Sequence, residues 1–259
     1  MKLRIITHNI MHLQGIELAS EEQPLKRSSS GHGSLGLDII GVLADFYNSL
    51  NPQIICLQEV PSLKDARKIA DLVKMKVYFE SGKSNPKYGG AILVNSSYES
   101  RKLSFPSLFK EMFERGCLMG HISGKNTSLT VCNLHLPSNI KRTLEEACYV
   151  RLKEVTFALS FLPEIIVGDF NERSDGPVYQ KLKKAGYIDV AFILGKSEIP
   201  TCNNARIDYI WIHKKTNLKL AEYRVFGQPQ LPAPLIEKIQ AMSDHLPIMA
   251  TFIYGKGDD

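Results

Sequence analysis

"EIIVGDFNERSDGPVY", Glu164 to Tyr179, carries an apolar run of strand length straight into Gly168-Asp169-Phe170-Asn171. Ile165, Ile166 and Val167 suit a buried strand, because branched aliphatic side chains pack well on a pleated surface. The strand then ends on a carboxylate and a carboxamide with one aromatic ring between them. Groups of this kind need partners or a chemical role, since burying a polar side chain with neither costs free energy.

The same pattern recurs along the chain. Thr7-His8-Asn9 closes the run from Leu3, Gln58-Glu59 closes the run from Gln53, and His135 closes Leu129 to Leu134. Asp208 lies inside "RIDYIWI", Arg206 to Ile212, and Ser243-Asp244-His245 precedes Ile248 to Tyr254. Strands packed in sheets would bring such ends to one edge, where a rigid scaffold holds carboxylates close together. Like charges held that way are unfavourable unless a cation neutralises them. Oxygen donors of this type suit Mg²⁺, with Mn²⁺ as a substitute, whereas zinc more often takes Cys or several His.

Further strand-length runs, Ala91 to Val94 and Leu118 to Ile122, complete a set bounded by Gly, Asn, Asp or Pro. Helical spacing marks Leu35 to Leu50, with Ser34 as N-cap and Asn51-Pro52 as stop. It marks a second helix opened by Ser62-Leu63-Lys64-Asp65 and running to Val73, and a third over Thr143 to Leu162. Strands outnumber helices, and the short link between residues 118–122 and 129–134 suits an antiparallel hairpin. An α+β fold is therefore expected rather than a parallel doubly wound sheet. Glu21 to Ser34, "EEQPLKRSSSGHGS", reads as a surface loop, and Gly227 to Pro234 as a proline-shaped rim.

The bulk properties set bounds. The chain has 259 residues, 44% hydrophobic and 23% charged, enough to bury a sizeable core in one domain spanning 1–259, with no repeat or dividing linker. No apolar run approaches the roughly 20 residues of a membrane span, and His8, Asn9 and His12 interrupt any signal-peptide core. An intracellular, cytoplasmic monomer without stable membrane association is the expectation. The five cysteines lack CxxC spacing and sit mostly in apolar runs, which argues against a zinc ribbon or a disulfide framework. A net charge of +5 mildly favours a polyanionic partner.

Each strand-end motif alone has an ordinary structural reading: Asn9 as a strand-end hydrogen-bonder, His135 as a core histidine, Asp208 as a buried structural acid. The ordered set "THN", "LQEV", "NLHL", "GDFN", "RIDYIWI" and "SDHLP" resembles the endonuclease/exonuclease/phosphatase superfamily from Ile5 to Phe252. The resemblance implies a four-layer αββα sandwich, two mixed β-sheets flanked by helices, with a magnesium-dependent site at one edge. It implies Glu59 as principal metal ligand, assisted by Asn9 and Asp244. It places Asp169 and Asn171 at the attacking water and the scissile phosphate, with Phe170 packed below them. His245, oriented by Asp208, would contact the phosphate or act as base. His135 matches a histidine used against the phosphate or leaving oxygen, and Arg115 would add positive charge there.

"GDFNERSDGPVYQKL" is similar to the matching stretch of nocturnin-type deadenylase-like members, and "GYIDVAFILGK" to that of tyrosyl-DNA phosphodiesterase-like members. His8, Phe170 and Leu246 depart from the second group, where Trp, Thr and Trp would stand. The leading expectation is a metal-dependent nuclease or phosphodiesterase acting on nucleic-acid ends or single strands, with Lys83, Lys87, Arg101, Lys102, Lys141 and Arg142 available to a groove. One alternative is hydrolysis of a phospholipid, sphingomyelin or inositol phosphate, for which Phe105 to Phe113 would be the membrane-facing candidate. Another is a non-catalytic binding module, marked by erosion of site residues that are here all present.

Overall fold

Every apolar run singled out as a strand forms one in the computed structural model, which describes residues 2–17, 26–27, 38–105, 111–124, 127–227, 238 and 240–254. These strands are β1 (Lys2–Asn9), β4 (Ile54–Val60), β6 (Gly89–Asn95), β8 (Gly116–Gly124), β9 (Thr127–His135), β10 (Ile165–Asp169), β12 (Asp208–His213) and β14 (Ile248–Tyr254). The structure adds β5 (Met75–Glu80), β7 (Glu99–Lys102), β11 (Tyr187–Asp189) and β13 (Leu218–Val225), and a small pair of β2 (Ile16–Glu17) with β3 (Lys26–Arg27). One six-stranded sheet has the order β13-β14-β1-β4-β6-β5 and the other β11-β12-β10-β9-β8-β7. The four unexpected strands of the two large sheets are therefore all sheet edges. Edge strands face water along one side and carry polar residues that blur the apolar signal.

Both sheets are mixed and repeat one motif at their centres. β1 runs parallel to β4 and antiparallel to β14, and β10 runs parallel to β9 and antiparallel to β12. Because side chains alternate along a strand, successive residues serve different layers. Ile5, Ile54 and Ile92 meet Val131, Val167 and Ile210 in the core between the sheets. Their neighbours Ile6, Ile55 and Leu93 pack outward on Leu43 and Tyr47 of α1 (Ile39–Leu50) and Ile69 of α2 (Leu63–Val73). On the opposite face, Cys132, Ile166 and Trp211 pack on Val155 of α3 (Leu144–Leu159) and on Tyr179 and Leu182 of α4 (Pro177–Lys184). The result is a four-layer αββα sandwich. Each fully buried aliphatic side chain contributes about 1.5–3 kcal/mol against the entropy of ordering the chain.

Local capping sets the helix ends. The Ser62 hydroxyl accepts the Asp65 N–H at 3.1 Å, and Thr143 with Glu146 forms a reciprocal capping box. The first helix begins at Ile39 behind Asp38, whose backbone is extended, and the expected start at Leu35 behind Ser34 lies outside the described residues. It stops at Asn51, which adopts the left-handed conformation before Pro52. The third helix ends at Leu159, three residues short of the expected Leu162. Of the expected loop Glu21 to Ser34, only Lys26–Arg27 is described, as β3; most of the Gly227 to Pro234 rim and of Phe105 to Phe113 likewise lies outside the described residues.

A buried carboxamide pair ties the sheets together beneath the edge where the polar strand ends gather. Gln58 Nε2 of β4 donates to Asn133 Oδ1 of β9 at 2.7 Å and to Thr7 Oγ1 of β1 at 2.9 Å. Asn133 Nδ2 in turn donates to the Leu57 and Ala91 carbonyls at 2.9 and 3.0 Å. Asn133→Ala strands a buried donor and two buried carbonyls at once. We expect it to lower unfolding free energy by about 2–4 kcal/mol, measured by urea denaturation.

Candidate active site at one edge of the sandwich

The mixed topology does the gathering. Parallel neighbours end together, and the antiparallel partners begin where those ends lie, so Asn9, Glu59, His135 and Asp169 finish their strands beside Asp208 and the 243–245 loop. Gly168 makes the closest approach possible. Its φ is +135°, and a side-chain carbon there would lie 1.8 Å from the Leu134 carbonyl oxygen of the neighbouring strand. Phe170 packs into the outer core edge-on to Tyr209, which leaves Asp169 and Asn171 facing the opening.

Asp169 is the hub. Its Oδ2 accepts from Asn9 Nδ2 and Asn171 Nδ2, each at 3.1 Å, and its Oδ1 accepts the Asn171 N–H at 2.8 Å. His135 Nε2 lies 3.4 Å and His245 Nε2 3.8 Å from Asp169 Oδ2. His245 Nδ1 lies 2.9 Å from Asp208 Oδ2, which also accepts the Thr201 hydroxyl at 2.6 Å. Glu59 Oε1 faces Arg115 Nη1 at 3.7 Å and His135 Nε2 at 3.8 Å, while Oε2 lies 3.0 Å from His12 Nε2. The Arg115 guanidinium hydrogen-bonds His135 Nε2 and Ser138 Oγ and lies over the Tyr88 ring. Asp244 gathers with Cys202 and His245, the three offering ligand atoms within 4.8 Å of one another.

Burial and charge compete at each group. Burial opposes ionisation of Glu59, but contact with His12 and the charges of His135 and Arg115 outweigh it and hold the carboxyl at about 2. Burial also opposes ionisation of Asp169, yet His245, His135 and Arg115 hold it well below the usual carboxylate range. The His245 imidazolium suffers from burial as well, and the carboxylates of Asp208 and Asp169 keep it protonated well above the ordinary range. The edge thus sets the ionised carboxyls of Glu59 and Asp169 against Arg115 and the His245 imidazolium, while burial pushes the Asp208 carboxyl upward. Asp169, Asp208 and His245 form a second group whose ligand atoms lie within 4.8 Å of one another, and carboxylate oxygens of this kind fit a hard divalent cation.

Several contributors escaped the sequence reading. His8 lies buried beneath the site, with Nε2 donating to the His245 carbonyl at 3.1 Å and Nδ1 accepting from Tyr47 at 2.9 Å. Burial pushes its imidazole down to about 3, so it is neutral and serves as a strut from α1 to the His245 backbone. Ser243 Oγ donates to the Asn9 carbonyl at 2.7 Å and accepts the His245 N–H at 3.1 Å, fixing that loop on β1. Tyr88, His12 and Thr201 reach in from turns, where no periodicity marks them; "THNIMHL" offered only an isolated second histidine. Among the basic residues considered for a groove, Lys141 and Arg142 line a cleft of about 430 Å³ with Tyr88, Arg115 and Ser138. Lys83 is tied to the Glu111 carbonyl and Lys102 to Glu80 and the Phe79 carbonyl.

Arg115 is positioned through its neighbour. Glu114 holds Arg142 in a two-pronged pair at 2.9 and 2.8 Å, and its N–H donates to Glu154 Oε1 of α3 at 2.9 Å. Burial first, then the Glu114 charge, pushes the Glu154 carboxyl up to about 8. The folded protein then keeps a proton that the unfolded chain releases near 4.5, so stability falls as pH rises from about 4.5 to about 8. Glu154→Gln should flatten that dependence, removing a slope of up to about 1.4 kcal/mol per pH unit in denaturant titrations. Gly168→Ala should push β10 off β9 and misplace Asp169; we expect a loss of several kcal/mol in stability, on the order of 2–4, by the same assay.

The fold has relatives. The catalytic domain of human Nocturnin with bound sulfate superimposes with a TM-score of 0.70 at 19% identity, covering 98% of this chain and 94% of that one. TDP2 of D. rerio complexed with a single-strand DNA product gives 0.64 at 19% identity, covering 97% and 99%. An endonuclease/exonuclease/phosphatase family protein from Bacteroides thetaiotaomicron gives 0.65 at 17% identity, covering 99% of each. No curated protein matches the chain by sequence alone. Residues 38–245, from the first helix to the imidazole paired with Asp208, match the sequence model of the Endonuclease/Exonuclease/phosphatase family. With that match over most of its length and the same fold in these structures, the chain belongs to the endonuclease/exonuclease/phosphatase family.

Proposed function

We propose that this protein is a divalent-cation-dependent phosphodiesterase that hydrolyses nucleic acid at RNA or DNA ends or in single strands. The observation that carries the reading is the convergence of Glu59, Asp169 and Asp208 with His135, His245 and Arg115 at one edge. A phosphodiester resists water through its own negative charge, so a hydrolase must neutralise nonbridging oxygens, orient a water in line and stabilise the departing oxyanion. Glu59, Asn9 and Asp244 would hold Mg²⁺ or Mn²⁺. The cation, when bound, supplies positive charge to the phosphoryl and leaving oxygens.

The chain's own residues supply the rest. Asp169, held ionised and fixed by Asn9 and Asn171, accepts a hydrogen bond from the attacking water and orients it. Its depressed carboxyl makes it better at orienting the water than at retaining a proton. The His245 imidazolium donates to the phosphate, and Asp208 keeps its ring in place by accepting the hydrogen bond of Nδ1–H, while the Asn171 carboxamide, held by Asp169 and the Leu136 carbonyl, stands beside the phosphate. His135 and Arg115 lie where a second phosphoryl oxygen or the leaving oxygen would be met. The cleft lined by Tyr88, Lys141 and Arg142 opens beside Arg115, and a second, lined by Arg151, Arg173 and Gly176, opens beside Asn171. A strand laid across both would set its phosphate over Asp169, with Tyr88 available for stacking on a base.

The test is a panel of labelled single-stranded RNA, single- and double-stranded DNA, a 5′-tyrosyl DNA end and phospholipids, assayed in Mg²⁺. We expect cleavage of a nucleic acid, abolished by EDTA and restored by Mg²⁺ or Mn²⁺, with Asp169→Ala and His245→Ala each lowering kcat by about 100-fold or more. Full activity in either variant would overturn the assigned roles. Turnover of lipid alone would move the protein to a different substrate class.

A further inference from the structure

His12 occupies a strained turn whose only evident use is to bring its ring to Glu59. Met11, His12 and Leu13 have φ of 43°, 54° and 60°, three consecutive side-chain-bearing residues in the left-handed region. Each such residue costs about 1–2 kcal/mol. The turn is held closed by the Met11 N–H on Asn9 Oδ1 at 3.1 Å and the Leu13 N–H on the Ile10 carbonyl at 2.9 Å, with Met11 and Leu13 buried on either side. His12 alone of the three turns toward the opening, and its ring packs against Tyr88 with centroids 5.1 Å apart.

The ring's two nitrogens are committed differently. Nδ1 lies 2.9 Å from the Lys87 carbonyl oxygen, which can only accept, so Nδ1 carries the hydrogen. Nε2 then points at Glu59 Oε2, 3.0 Å away. A lone pair facing a carboxylate oxygen at that distance is repulsive unless a proton or a metal ion lies with them. A backbone carbonyl fixing one imidazole nitrogen while the other faces an ionised carboxylate is the arrangement that surrounds a metal-bound histidine. Arg115 and His135 crowd the other oxygen of Glu59, which leaves the Oε2 side for a cation.

We propose that His12, through Nε2, is a ligand of the same divalent cation that Glu59 holds. This rests on the metal-dependent reading above and deepens it by making the donor set mixed. A nitrogen donor beside the oxygens shifts preference from Mg²⁺ toward Mn²⁺ and later first-row metals.

Mn²⁺-loaded protein is the probe, read by ¹⁴N electron spin echo modulation and by calorimetric affinity without substrate. His12→Asn suits the left-handed turn, and His12→Gln serves as a second variant should the first fail to fold by circular dichroism. The expected result is imidazole nitrogen modulation that is lost or halved in the variant, with Mn²⁺ affinity falling about tenfold or more. Mg²⁺ affinity should fall by a smaller factor than Mn²⁺ affinity. Full modulation in the variant, or Mn²⁺ affinity unchanged or increased, overturns the proposal and leaves His12 as an ion-pair partner of Glu59. Glu59→Gln separates the two readings: it should abolish Mn²⁺ binding, and if it does not, the metal-dependent reading itself fails.

Discussion

Two carboxamides, Gln58 and Asn133, fix the relation between the two sheets, and the site depends on that relation. Apolar packing between sheets is nearly indifferent to small sliding, because one branched aliphatic side chain meets another with similar energy. A buried hydrogen bond is not indifferent, since a displacement of an ångström leaves a donor without its acceptor in a medium that cannot replace it. Gln58 is followed by Glu59 and Asn133 is two residues before His135, so the bridge that locks the sheets also sets the separation of those two groups. The span from Glu59 to His135 is a consequence of carboxamide geometry below it.

Above the bridge, unfavourable features gather, although Asn51, Lys74, Leu162 and Asn203 also take left-handed φ at turns and helix ends elsewhere. Glu59 and Asn171 have φ of 55° and 49°, and the Met11–Leu13 turn adds three more left-handed residues. Three carboxylates lie buried within a few residues of strand ends. Each of these costs stability, and each is supported by packed strands and by hydrogen bonds such as those of Ser243, Thr201 and His8. Among the described residues, five of the nine side-chain-bearing residues with left-handed φ lie at this edge, and two of the others, Asn51 and Lys74, are helix caps.

The inner strands were legible because they are buried on both faces and therefore almost wholly apolar, and the site was legible because a polar residue at the end of such a run has few structural excuses. Asp169, Glu59 and Asp208 announce themselves in that way. The residues that were not legible act through loops. His12 and Tyr88 come from short turns, Thr201 from an irregular link, and His8, although on β1, reads as a departure from the family until Tyr47 and the His245 carbonyl are seen beside it. The helix start at Ile39 is not marked in the sequence, because hydrophobic spacing continues upstream to Leu35 while the backbone at Asp38 is extended.

The strands that escaped notice, β5, β7, β11 and β13, form every outer margin of the two sheets. β7 is "ESRK", β11 is three residues long, and β13 places Lys219, Glu222 and Arg224 along its length. A margin of that kind offers unpaired backbone amides to any passing strand, yet surrounds them with charge that a second molecule would have to desolvate. The polarity that hides these strands from a reader of the sequence also hides them from other copies of the chain. It guards the sandwich against zippering edge to edge, and it does so without using any residue of the edge where Glu59, Asp169 and His245 gather.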